Sequence, residues 1–126
     1  NIMMKNSEII KFLLETQTQF RILHWQTKSF SRHGAYGRIY DSLDDLIDKF
    51  VEVCMGKHGR PTFTGGYSLG GSDIEELDLT EYVSSVCEYL VGLSEEYDPK
   101  MDSDLLNIRD EMLAEINQLK YLLTLK

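Results

Sequence analysis

A chain of 126 residues, 42% hydrophobic and 27% charged, carries enough apolar side chain for one core and too little for two ordinary domains; this composition excludes a disordered polypeptide. A formal net charge of −8, with lysines and arginines scattered, argues against binding to DNA or to an anionic membrane. No apolar run of 18 residues and no signal peptide occurs, which predicts a cytoplasmic protein with no membrane contact.

Four apolar-periodic blocks follow one another along the chain. The first covers about residues 7–28, with Asn6 or Ser7 as N-cap and Ile9, Leu13, Phe20 and Leu23 on its inner face. The second covers about residues 34–55. Its apolar positions are Tyr36, Ile39, Tyr40, Leu43, Leu46, Ile47, Phe50, Val51 and Cys54, the clearest helical spacing in the chain. A glycine-rich, polar link then runs over residues 56–78. Within it Ser72 and Glu75 match a capping box, predicting a short helix at residues 73–77. The third block starts after Asp78 or Thr80, uses Tyr82, Val83, Val86, Leu90 and Leu93, and stops before Pro99. The fourth follows a cap at Asp102 or Ser103 and places Leu105, Ile108, Met112, Ile116, Leu119 and Leu122 inside. Both cysteines, Cys54 and Cys87, fall in helical apolar patterns and read as reduced core thiols. No stretch reads as a strand.

Connections that are short, long and short set the architecture. Short links make the first two helices antiparallel, and likewise the last two. The central link is long enough to run the length of the molecule and start the third helix at the far end. The prediction is an all-α protein of one domain, residues 1–126: a ferritin-like four-helix bundle with one crossover between helices two and three.

Helix two carries an unusual outer face. At about 100° per residue, Asp41, Asp45, Asp48 and Glu52 fall within roughly 60° of one another, opposite the apolar side. Four acids on one stripe repel, so the stripe is either a solvated face or a place where a cation sits. Asp48 and Glu52, four residues apart, can approach the same ion. Oxygen and imidazole ligands suit iron, manganese or zinc, and no thiolate cluster competes with them. Because these acids face away from their own core, a closed site needs a neighbouring surface, for which another subunit is the natural source. His24 lies near the inner face of helix one beside Trp25, and His33 precedes helix two. Taken singly, His24 reads as a core residue, Trp25 as a packing anchor and His33 as a loop residue. His58, in the link, has no acidic partner at useful spacing.

Read together, His24-Trp25, His33 and the pair Asp48-x-x-x-Glu52 resemble the Dps family of mini-ferritins, whose short viral or phage members are the most similar in kind. A final helix ending "INQLKYLLTLK" also resembles the Dps C-terminus. The resemblance spans the chain, but its specific part is residues 24–52. It implies a ferroxidase site shared across a two-fold dimer interface, within a homo-oligomer of up to twelve subunits. His24 and His33 of one chain would face Asp48 and Glu52 of its mate. Ferrous iron would be oxidised there by hydrogen peroxide or dioxygen and stored as ferric mineral, protecting against oxidative damage. Trp25 would pack nearby and could donate an electron. The sequence departs from the family at Gly37, where an aspartate is expected. Asp41, one turn on, reaches the site only if the helix or ion shifts. That loss predicts a weaker site, holding one iron or a zinc-like ion. The competing expectation is a non-enzymatic ferritin-like assembly protein with a structural or vestigial metal site. A site inside a single bundle is disfavoured, since no E-x-x-H occurs on any helix.

Overall fold

Apolar side chains at three-and-four spacing wind into four helices: α1 (Ile2–Gln26), α2 (Phe30–His58), α3 (Leu79–Gly92) and α4 (Ser103–Leu122). One-turn 3₁₀ segments sit at Ile74–Glu76 and Leu93–Glu95. The computed structural model describes residues 2–126, with side chains from Lys5 onward, and among these residues there is no strand. No described helix is long and apolar enough to cross a membrane.

The helix ends show where local signals were overruled. α1 begins at Ile2, so Asn6 is no cap; its side chain is buried and accepts a hydrogen bond from the Tyr97 hydroxyl at 2.6 Å. α2 begins four residues before Gly34. Ser29 caps it from extended backbone, its hydroxyl accepting from the Arg32 amide at 3.2 Å. In the link, Asp73 rather than Ser72 caps the short turn, accepting from the Glu75 amide. Asp78 caps α3 as expected, accepting from the Glu81 amide at 3.1 Å. Asp102 stands at the cap position of α4 but directs its carboxylate backward, accepting from the Asp98 amide at 3.0 Å.

The inner faces agree with the periodic residues. Phe20 and Leu23 from α1 meet Tyr36, Ile39, Leu43, Ile47 and Phe50 from α2. Val83, Val86 and Leu90 from α3, with Leu105, Met112, Ile116 and Leu119 from α4, complete the core. Each such Leu, Ile or Phe contributes about 1.5–3 kcal/mol through removal from water. Cys54 is buried and Cys87 half-buried, both as free thiols. Burial pushes the Cys54 thiol up, and the Tyr97 hydroxyl 3.9 Å away partly opposes that.

Polar contacts fix the helix directions. Only three residues separate α1 from α2, so the two pack antiparallel. The last turn of α2 touches the approach to α4, where Lys57 Nζ donates to the Met101 carbonyl at 2.7 Å. At the other end of α2, Arg38 comes within 4.0 Å of Glu115 on α4. Arg109 of α4 donates to the carbonyls of Leu90 and Val91 at the end of α3. Hence α1 and α4 run one way, α2 and α3 the other.

That arrangement requires the link to travel the full length of the molecule, and α1 supplies its track. Tyr67 donates to the Ser7 carbonyl, and Glu15 accepts from the Gly70 amide at 2.8 Å. Gln19 bonds both the amide and the carbonyl of Ser72, at 2.7 and 2.9 Å. Gln26 accepts from the Ile74 amide and donates to Asp73. Gly71 lies so close to α1 that a Cβ there would sit 2.6 Å from Ile22 Cδ1. Thus Gln19, polar and outward by its spacing, is 4% exposed.

Candidate metal site

The tight α1–α2 corner brings His24, at the end of α1, onto His33, in the first turn of α2. Their rings stack with centroids 3.8 Å apart and planes 18° from parallel. His24 Nδ1 lies 2.7 Å from the His33 carbonyl, and His33 Nδ1 lies 2.8 Å from the His24 carbonyl. A carbonyl oxygen only accepts, so in both rings Nδ1 must carry the proton. For a neutral ring this assigns the tautomer from the partner and puts the lone pair on Nε2, the form in which imidazole binds a metal. His33 is exposed and His24 half-buried, so the corner is a reciprocal clasp and His33 belongs to a helix. Neither ring is a core residue.

Gly37 is part of this geometry. A Cβ built there would stand 3.0 Å from His24 Cε1 and 3.2 Å from His24 Nδ1. The Cε1 edge of the imidazole therefore packs against α2 at Gly37, in a space that glycine leaves open. An aspartate at position 37 would crowd His24 in this pose and require the ring to give way. The missing carboxylate is thus the counterpart of the clasp.

Further along α2, Asp41, Asp45, Asp48 and Glu52 are all exposed, as the helical spacing predicts. The Asp48 carboxyl raises the Glu52 pKa, first by hydrogen bonding to it and then by its charge. Two like charges one helical turn apart thus make the charged form of Glu52 less favourable than that of an isolated glutamate. They lie far from the clasp in the same chain: fifteen residues separate His33 from Asp48, about 22 Å along the helix axis. Among the described residues no group of three or more His, Cys, Asp or Glu side chains is close enough to hold one ion. Within one chain the histidine clasp, built from α1 and α2, and the carboxylate pair of α2 thus stay apart.

The surface around the clasp is unusually apolar. Phe30 is 91% exposed and Trp25 is 70% exposed, so Trp25 is no anchor of its own core. Arg21 instead lies over both the Trp25 ring, at 5.5 Å, and the Tyr40 ring, at 3.8 Å.

Spacing along the sequence could not reveal the partner of His58. It ends α2 with Nε2 at 3.2 Å from Asp102, 44 residues away, correcting the expectation that it has no acidic partner. Lys57 approaches the same carboxylate at 3.9 Å and Asp104 at 3.3 Å. This network joins the end of α2 to the start of α4.

These features define an all-helical protein with a histidine clasp at one end of its longest helix and a carboxylate pair toward the other. The chain belongs to a family of unknown function (DUF5856), whose model matches residues 24–123, a span that opens on His24 and includes all four candidate ligands. It is similar to the "Uncharacterized 14.6 kDa protein in mobD-ri intergenic region" of Enterobacteria phage T4. The two are 32% identical over 124 residues, covering 97% of this chain and 90% of the phage protein. No solved structure matches the chain.

Proposed function

We propose that this is a ferritin-like, metal-handling protein that works as a two-fold pair. A divalent ion sits between His24 and His33 of one copy and the partner's Asp48 and Glu52. The observation that carries this reading is the clasp, in which two stacked imidazoles both commit Nδ1 to a backbone carbonyl and keep Nε2 as the nitrogen that would bind a metal. Antiparallel pairing of two α2 helices would lay each clasp against the other copy's carboxylates and would cover Trp25 and Phe30. The resemblance to Dps and the parallel course of α2 and α3 point the same way.

Each component has a chemical task. The imidazoles bind as neutral ligands and the carboxyls as anions, so an ion there competes with protons, most directly at Glu52, whose carboxyl Asp48 pushes up. With Gly37 in place of an acid, each site takes one ion. Ferrous iron is the proposed substrate, and zinc or manganese fits the same donors. Hydrogen peroxide, as the oxidant, would take one electron from each of two ferrous ions and two protons from solvent, giving two ferric ions and two waters; dioxygen is the alternative oxidant. Ferric product would be stored in the cavity of a larger homo-oligomer, a dodecamer in the fullest form. A phage relative agrees with a viral setting for the activity.

A second reading is a non-enzymatic helical assembly protein, favoured by one observation: the clasp also ties the α1–α2 corner, a task that needs no metal.

Complementation separates the two. His24→Ala/His33→Ala and Asp48→Ala/Glu52→Ala each remove one half-site, so each protein alone should lose Co²⁺ and Fe²⁺ binding while remaining folded. Co-expressed in equal amounts, half of the pairs should be mixed and carry one intact site each, recovering about a quarter of the parent's metal per chain. Peroxide-driven Fe²⁺ oxidation should follow the same pattern. Unchanged metal affinity in both variants, or a monomer by light scattering with metal present, would overturn the shared site. Metal binding without oxidation above the buffer rate would favour the second reading.

A further inference from the structure

At the end of the bundle where α3 begins, Arg32, Leu79, Thr80, Val83, Lys120, Leu123 and Thr124 enclose an open groove of about 300 Å³. Three elements build it: the first turn of α2, the start of α3 and the end of α4 with the residues after it. Its floor is apolar, with Val83 buried and Leu79 and Leu123 half-buried. Two hydroxyls and two cations stand at its rim.

The charges are the informative part. The chain carries 21 acids against 13 Lys and Arg, yet no carboxylate lines this groove. Among the described residues neither Arg32 nor Lys120 belongs to an ion pair, as holds for most of the chain's cations; what sets this groove apart is that two of them meet over one apolar floor with no acid beside them. Arg32 is exposed, and its charge is close enough to Tyr36 to pull back a buried phenol that desolvation pushes up. A groove of this size suits a small ligand with an apolar body and one polar end. Two cations over a leucine-valine floor select a negative end, and the planar guanidinium fork suits a carboxylate or a phosphate.

We infer that this groove binds a small amphiphilic anion, with the apolar group on Leu79, Val83 and Leu123 and the carboxylate or phosphate between Arg32 and Lys120. Thr80 stands at the rim with a hydroxyl able to donate, whereas the Thr124 hydroxyl already donates to the Tyr121 carbonyl at 2.6 Å. The site contains none of the proposed metal ligands and stands independently of the metal reading.

Amide NMR titration of the full chain with hexanoate, hexyl phosphate and neutral 1-hexanol tests this. One or both anions should give saturating shifts centred on Thr80, Val83, Leu123 and Thr124, with hexanol at least about fivefold weaker; the tighter anion identifies the headgroup. Lys120→Gln and Arg32→Gln should each weaken the anion by about fivefold and leave hexanol unchanged. Lys120→Gln has no contact with Tyr36, so it reads the charge without disturbing the core. The inference is overturned by scattered or non-saturating shifts with both anions. It is equally overturned if hexanol binds as tightly, or if the anions bind Lys120→Gln as they bind the parent chain.

Discussion

His24 and Gly37 are best understood as one device. The ring occupies the volume that any side chain at position 37 would need, and its Nδ1 bond to the His33 carbonyl fixes its pose. Two opposing effects should therefore meet in Gly37→Ala. Alanine in a helix interior gains up to about 1 kcal/mol over glycine, whereas displacing the ring gives up hydrogen bonds of about 1 kcal/mol each. The expected net change in unfolding free energy is under about 1 kcal/mol, measured by urea denaturation. Metal affinity, which depends on where Nε2 points, should fall about tenfold, a loss of about 1.4 kcal/mol. The histidines, the acids and the glycine were all legible in the sequence as residue types at spacings. What no spacing conveys is that both rings give their Nδ1 protons to each other's backbone, because that depends on the corner closing.

At the scale of elements, the apolar stripes were readable because a helix repeats its inner face every three or four residues. The misread ends share one cause, which is long-range competition for a polar group. Asn6 has the chemistry of a cap, but Tyr97 claims its side chain. Gly34 and Gly37 resemble helix breakers, yet Ser29 has already started α2 and Gly37 answers to His24. Gln19 reads as a solvent residue because its partner, Ser72, lies in the structureless link. Replacing Gln19 by alanine should cost about 2 kcal/mol, two buried hydrogen bonds, and should speed protease cleavage within residues 59–72. A second element-level prediction concerns the turn before α4. The amides of Met101 and Lys100 hold the Asp98 carboxyl below its ordinary value. A depressed folded pKa stabilises the protein above the unfolded value of about 3.9 and is lost as pH falls through the folded one. Asp98→Ala should therefore lower the melting temperature at pH 7, and that deficit should shrink toward zero in thermal melts below about pH 4.

Across the whole molecule, the proposed function rests on how α2 is divided. Its first turn carries basic and imidazole groups, Arg32 and His33, and its outer middle carries acids, an arrangement that in the proposed pair would face an inverted copy. That polarity was visible in the sequence, and the single chain explains why it leads outward: about 22 Å of helix keeps the halves from meeting at home. The groove at the opposite margin of Arg32 escaped sequence reading because its walls come from three distant segments that share no motif.

The link pinned along α1 also bears on the order in which the chain acquires its structure. Its bonds to Ser7, Glu15 and Gln19 join residues 53 to 60 positions apart, whereas the α1–α2 corner closes over nine. Closing the larger loops costs more chain entropy, so the hairpin should form early and the link should dock late. Gln19→Ala should then leave the refolding rate nearly unchanged and raise the unfolding rate, the signature in stopped-flow measurements of contacts absent from the transition state. A strap laid down last is also the first to lift, so exchange of the Gly70 and Ser72 amides with solvent reports how often the crossover leaves its track.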